Sequence, residues 1–301
     1  MGGIKDLKTP EIDYMHPGHF ACQGCGAPIA MRYVIRALGK KTVVVIPAGC
    51  FSVIQSPFPY STMKVPVVHC AFETAASTAS GIRAALDMKG NEDVHVLAWA
   101  GDGATFDIGL QALSGVTERN ENIIYVCYDN EAYMNTGIQR SSATPYGAWT
   151  TTTPEKQFKD RPKKNIIEIL SGHKIPYAAT ASVAYPEDLT RKAEKARDIK
   201  GTRFLHILAP CPPGWRASTE KTIKVARLAT LTKVFPLYEV MNGEEYTINV
   251  QPKKIPVSEY FKHQMRFKHL KEEEVKDIQK RVDYEWERLL NRSMMEGFNS
   301  K

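Results

Sequence analysis

Val94 to Ala100 is an apolar, strand-like run that passes straight into Gly101-Asp102-Gly103. A helical stretch, Phe106 to Glu118, and a second strand-like run, Asn122 to Tyr128, follow, and the latter ends at Asp129-Asn130. Strand, glycine-bearing loop, helix and strand in this order make a βαβ unit. The alternation recurs along the chain. Helices are expected at Pro28–Leu38, Glu73–Met88 and Pro186–Ile199. Strands are expected at Thr42–Pro47, Val65–His69, Tyr177–Ala184 and Arg203–Leu208, with Asn165–Leu170 opening the later units. Such a chain is expected to fold as an α/β protein with a doubly wound, mainly parallel sheet. Ligands of these sheets sit at the carboxyl ends of the strands, where both Gly-Asp-Gly and Asp129-Asn130 fall.

That placement suggests a chelate. Asp102 offers a carboxylate, Asn130 an amide oxygen, and the Ala132 carbonyl a third oxygen. Mg²⁺ takes octahedral oxygen ligands and commonly binds through one or two carboxylates plus phosphates. Gly101 and Gly103 leave room for phosphates to approach the backbone, and a helix N-terminus beyond them favours an anion. The pattern reads as a metal–diphosphate site for thiamine diphosphate. Gly-Asp-Gly alone also occurs in ordinary turns. The specificity comes from the Asn at the end of the next strand, 28 residues after Asp102.

Six cysteines are too sparse for a disulfide scaffold. Cys22 and Cys25 form a Cys-x-x-Cys pair, Cys50 follows one strand and Cys211 another. Four thiolates with one such pair suit a [4Fe–4S] cluster. The alternatives are a zinc site, which usually shows two close pairs, or unrelated buried thiols. Cys70 and Cys127 lie in apolar segments and read as core residues.

The formal net charge is +7, with basic residues scattered apart from short clusters such as Arg161-Pro162-Lys163-Lys164. No nucleic-acid motif accompanies them, and the clusters read as a solvated face or a surface for acidic partners. No apolar run approaches the length of a transmembrane helix, so no membrane span is expected. Met1 to Tyr14 lacks the apolar segment of a secretory leader, and a cytoplasmic location is the expectation.

Taken together, Gly101-Asp102-Gly103, Asp107-Ile108-Gly109, the run Asp129 to Gln139, Cys22-Gln23-Gly24-Cys25-Gly26 and Gly49-Cys50 resemble the β subunit of the pyruvate:ferredoxin oxidoreductase family. The resemblance spans roughly residues 15–235. It implies that Asp102, Asn130 and the Ala132 carbonyl bind Mg²⁺, and that Asn135 lies near the thiazolium and substrate. Gly49, Val53 and Phe72 are candidates for the walls around the thiazolium. Cys22, Cys25, Cys50 and Cys211 are the implied [4Fe–4S] ligands. Some family members carry a Glu where Ala27 stands, so any role of that Glu must be absent here or supplied elsewhere.

The implied reaction is oxidative decarboxylation of pyruvate, with the acyl unit passed to coenzyme A and the electrons to ferredoxin. Pyruvate is favoured because Tyr133–Gln139 and Thr150–Pro154 resemble the pyruvate branch; oxalate and 2-oxoisovalerate are the alternatives. A reading of another class is a non-catalytic electron-transfer or zinc-stabilised assembly subunit. No second fold is evident to hold the pyrimidine half of the cofactor, which implies an α subunit, with γ and ferredoxin-like δ subunits completing a hetero-oligomer. Residues 1–235 are expected as the thiamine diphosphate and Mg²⁺ domain with the cluster loops. Residues 236–301 are expected as a partly helical extension, with Lys271–Met294 suited to subunit docking.

Overall fold

The computed structural model describes residues 13–57 and 59–294. The chain runs through α1 (Gly26–Leu38), β1 (Thr42–Pro47), α2 (Cys50–Gln55), β2 (Val67–Cys70), α3 (Ala75–Met88), β3 (His95–Gly101), α4 (Leu110–Glu118) and β4 (Ile124–Asp129). It continues through α5 (Ile166–Ser171), β5 (Tyr177–Ser182), α6 (Pro186–Asp198), β6 (Arg203–Leu208), α7 (Pro212–Trp215) and α8 (Thr222–Leu231). β7 (Tyr238–Met241), β8 (Glu245–Ile248), α9 (Val257–Phe261) and α10 (Glu272–Met294) complete it.

One eight-stranded sheet has the order β2-β1-β3-β4-β6-β5-β7-β8. The first six strands are parallel, and β7 and β8 add an antiparallel hairpin. Side chains alternate across the sheet as the pleat requires. Val44, Ile46, Leu97, Trp99, Ile124 and Val126 face the core under α1 and α6. Val45, Val96, Ala98, Tyr125 and Cys127 face the opposite core with α3, α4 and α10. The doubly wound, mainly parallel reading therefore describes the molecule.

The differences from expectation are local. The helix expected from Phe106 starts as an α-helix only at Leu110; Gly103–Asp107 winds as a wider π-type turn. A Cβ at Gly109 would run into the Ala104 carbonyl oxygen, so only glycine permits this close approach. Asn165–Leu170 lies mostly in α5, with Asn165 capping the Glu168 amide.

The hairpin was not anticipated. It continues the sheet across residue 235, and its turn at Asn242-Gly243 has φ of 53° and 75°. Asn-Gly is the dipeptide that tolerates two such residues. α10 lies against β8 and turns Ile278, Trp286 and Leu289 inward, so much of its apolar face is engaged by its own domain. Residues 1–12 lie outside the described residues. Just beyond them Met15 pairs with Met63. No helix among the described residues is long and apolar enough to cross a membrane.

Candidate active site

β1 and β3 are neighbours whose onward connections diverge, β1 toward the edge strand β2 and β3 toward β4. Open α/β sheets form a crevice at such a switch point. Here it has a volume of about 360 Å³. Gly49 and Cys50 line it from β1, Phe72 from beyond β2, Gly101, Asp102 and Gly103 from β3, and Asn130, Ala132 and Asn135 from beyond β4. Eight expected cofactor residues thus meet in one place. Val53 does not. In the short helix α2, Phe51 and Ile54 face the core, and Val53 falls on the outer face, 50% exposed.

Asp102 is buried, with Ser141 Oγ donating to its Oδ2. Among the described residues it makes no ion pair. Burial, then the charge of Asp129, pushes its carboxyl well above the usual range. The Asn130 carboxamide sits between Asp102 and Ala132. With its nitrogen innermost it donates to Asp102 Oδ1 and to the Ala132 carbonyl, each at 2.9 Å. With its oxygen innermost, that oxygen faces the Asp102 and Ala132 oxygens at the same two distances. Adjacent ligands of an octahedral ion with 2.0–2.1 Å bonds are about 2.9 Å apart. In that orientation the donor set fits Mg²⁺.

Behind these oxygens lies a buried charge network. Asp129 accepts from His206 Nε2 at 2.6 Å and pairs with Lys163. Burial would raise its carboxyl, but Lys163 and His206 outweigh it and hold Asp129 at about 2. Glu131 Oε1 accepts from Lys163 at 2.9 Å, and its Oε2 from Arg266 at 2.6 Å. The Trp215 indole N–H donates to the Asn130 carbonyl at 2.7 Å. Lys163 corrects the reading of the 161–164 cluster as a solvated face, because its ammonium bridges two buried carboxylates, with Arg266 supplying the second positive charge.

Beyond Ala132 the chain forms a tight loop closed by two hydrogen bonds between Tyr133 and Gln139. Asn135 is exposed at its apex and borders the crevice. Tyr133 is fixed from below, its hydroxyl donating to Asp107 Oδ2 at 2.7 Å. Its ring lies 6.0 Å from that of Phe72. The motif residue Asp107 thus supports the loop instead of entering the crevice.

Cys22, Cys25, Cys50 and Cys211 also converge at this end of the sheet. The Cys22–Cys25 turn docks on the loop that carries Cys211: Gly26 N–H donates to the Pro210 carbonyl at 3.0 Å, and Thr222 Oγ1 to the Gly24 carbonyl. Gly24 has φ +72°, and a Cβ at Gly26 would lie 2.9 Å from Ala209 backbone atoms. Burial pushes the Cys25 and Cys50 thiols up to about 12 and Cys211 up to about 11. Each is also raised by charge on neighbours within the quartet. No three His, Cys, Asp or Glu side chains among the described residues gather closely enough for a single metal ion. Cys127 is in the core and Cys70 half-buried beside it.

Sequence reasoning did not single out Ser141, His206, Trp215 or Arg266. His206 alone left a signal, an ionisable side chain in mid-strand in the wholly buried β6, whose other ionisable residue, Arg203, opens the strand.

Comparison with known proteins bears on the family and the fold. Residues 47–207 match the family described as thiamine pyrophosphate enzyme, C-terminal TPP binding domain. The chain is 53% identical over 296 residues to ketoisovalerate oxidoreductase subunit VorB of Pyrococcus furiosus, covering 95% of each. It is 50% identical over 281 residues to pyruvate synthase subunit PorB of Methanothermobacter thermautotrophicus, covering 92% of this chain and 97% of that one. A solved 2-oxoglutarate:ferredoxin oxidoreductase from Magnetococcus marinus shares the fold, with TM-score 0.60 and 22% identity over 73% of this chain and 82% of that one. These matches set aside the reading as a non-catalytic assembly subunit. The chain belongs to the thiamine pyrophosphate enzyme C-terminal domain family and, within it, to the β subunits of the 2-oxoacid:ferredoxin oxidoreductases.

Proposed function

We propose that this β subunit binds Mg²⁺–thiamine diphosphate in the switch-point crevice and a [4Fe–4S] cluster on the cysteine quartet, and serves the oxidative decarboxylation of pyruvate. The observation that carries the reading is the Asn130 amide set 2.9 Å from both Asp102 Oδ1 and the Ala132 carbonyl where the strands end. When bound, thiamine diphosphate supplies the carbanion chemistry that releases carbon dioxide, and the cluster takes up the electrons singly.

The chain's own residues have definite tasks in this reading. Asp102, Asn130 and the Ala132 carbonyl hold the cation, and Gly101 and Gly103 leave the diphosphate access to the backbone. Gly49 and Phe72 border the thiazolium. The Asn135 amide, at the rim, hydrogen-bonds negative charge developing on the substrate oxygen. Cys22, Cys25, Cys50 and Cys211 ligate the cluster; a four-iron cluster holds its thiolates farther apart than one zinc ion does. An α subunit supplies the pyrimidine half of the cofactor site, γ and δ subunits complete the assembly, and coenzyme A and ferredoxin are the acceptors, in the cytoplasm.

A second substrate, 2-oxoisovalerate, is favoured by one observation: the ketoisovalerate relative is 53% identical and the pyruvate synthase relative 50%. The deciding assay is substrate-dependent ferredoxin reduction by the complex purified without oxygen, before and after removal of Mg²⁺ and thiamine diphosphate. A hydrophobic pocket separates substrates differing by small alkyl groups by roughly 10–200-fold in kcat/KM. Preference for pyruvate in that range, abolished by stripping and restored by both cofactors, is the expected result. Preference for 2-oxoisovalerate reassigns the substrate, and activity indifferent to stripping overturns the site.

A further inference from the structure

We infer that Arg266, together with Trp215, is a positioning residue for the metal-binding oxygens, fixing the backbone of the loop from which Asn130 and Ala132 project. The inference rests on the magnesium reading above and extends it to residues outside the family match at 47–207.

Glu131 lies between the two ligands, so its backbone sets the direction of both. Its φ is +69°, in the left-handed region. That conformation disfavours a residue with a Cβ, and it persists where the surroundings over-determine it. Here they do. The Glu131 N–H donates to Asp129 Oδ1 at 2.9 Å, and its carbonyl accepts from Thr144 Oγ1 at 2.7 Å. Its carboxylate, in a side chain only 2% exposed, is held between Arg266 and Lys163.

Arg266 is itself locked. Its guanidinium lies 4.0 Å from the Trp215 ring centroid and 4.9 Å from that of Phe267. Its Nε donates to Gln264 Oε1 at 3.0 Å, and its Nη2 also reaches the Tyr260 hydroxyl at 3.3 Å. Trp215, beneath it, is fully buried and holds the carbonyl of Asn130. One residue thus grips the side chain of Glu131 while the other grips the backbone just before it. Neither borders the crevice, so neither touches the cofactor. Their effect passes through the loop. A planar guanidinium both stacks and donates in a fixed fork, which an ammonium cannot reproduce.

The test uses the assembled complex, purified without oxygen and stripped of Mg²⁺ and thiamine diphosphate. Mg²⁺-dependent binding of the cofactor is followed by calorimetry, beside iron content, thermal midpoint, and the KM and kcat for cofactor-dependent turnover. Loss of a residue that orients metal ligands weakens metal binding about 10–100-fold. Arg266→Met is expected to fall in that range, with KM for cofactor raised, kcat at saturation little changed and iron unaltered. Arg266→Lys is expected to recover part of the loss. Trp215→Phe, which keeps a ring under Arg266 but removes the indole N–H, is expected to weaken Mg²⁺ binding about 10-fold. A lowered thermal midpoint with native Mg²⁺ affinity would mark a merely structural role and overturn the inference. Should Arg266→Met not assemble, Trp215→Phe decides alone, and native affinity in it overturns the clamp. A native complex that binds no Mg²⁺–thiamine diphosphate overturns the magnesium reading and the clamp with it.

Discussion

The oxygen-lined corner and the thiol-lined corner share one end of one sheet but are built by opposite means. Asp102, Asn130 and Ala132 are set by side-chain chemistry: Ser141 on Asp102, Trp215 on Asn130, and Lys163, His206 and Arg266 on the carboxylates at 129 and 131. The cysteines are set by backbone contact. The turn bearing Cys22 and Cys25 rests on the Cys211 loop through main-chain carbonyls and two glycines that permit close approach. Among the described residues no charged side chain pairs with the thiols, and burial pushes three of them up. Under the proposed function the first corner would be arranged before its ion arrives, and the second would give up protons to take a cluster. Preorganisation by buried ion pairs would suit a labile ion kept by few ligands, whereas four strong sulfur bonds would finish the second site themselves.

Substitutions should separate the corners. The largest effect is expected for Cys211→Ser, which should lose the cluster iron and reduce ferredoxin reduction to background while leaving cofactor binding near native. Joint loss of both would mean that the corners fold as one. Asp102→Asn should do the reverse. Calorimetry should show Mg²⁺-dependent cofactor affinity lowered about 100-fold, with iron unchanged. Gly26→Ala should strain the backbone seat of the Cys-x-x-Cys turn, costing about 1–3 kcal/mol. It should appear as a lower thermal midpoint and faster iron loss. Unchanged iron retention would show that the seat is dispensable.

The smallest effect concerns pH. Lys159, in the loop above the oxygen corner, is buried and donates to the carbonyls of Ser142, Thr144 and Pro162. Burial, reinforced by Arg140 and Lys163, brings its ammonium down from 10.5 to about 8. Between those values the unfolded chain binds more protons than the folded one, so stability rises with pH across that window. The carbonyl acceptors favour the charged form, so the gain is on the order of 1 kcal/mol. Denaturant titrations of native protein and Lys159→Met from pH 7.5 to 10 should show a flatter profile for the variant. Parallel profiles would remove Lys159 from the account.

Much of this was legible in the chain because the information is local. A βαβ unit declares itself through consecutive runs, and Asp102 and Asn130 stand out because strand ends mark where ligands bind. Cys22, Cys25, Cys50 and Cys211 stand out because they sit in one Cys-x-x-Cys turn or just after a strand. What escaped is non-local. Lys163 and Arg266 reach Glu131 from 32 and 135 residues away, and no periodicity records such a partnership. Val53 was misplaced because a helix of six residues shows too little pattern to tell its inner face from its outer one. The hairpin at Tyr238–Ile248 was legible in principle, since Asn242-Gly243 announces it, but its strands of four residues are short and lie where the alternating pattern ends.

The most direct measurement is the content of iron, acid-labile sulfide, zinc, magnesium and thiamine diphosphate in the complex purified without oxygen, compared between native protein and Cys211→Ser. About four irons and four sulfides are expected to disappear with Cys211, while magnesium and thiamine diphosphate remain. Zinc in place of iron, with no thiamine diphosphate, would contradict it.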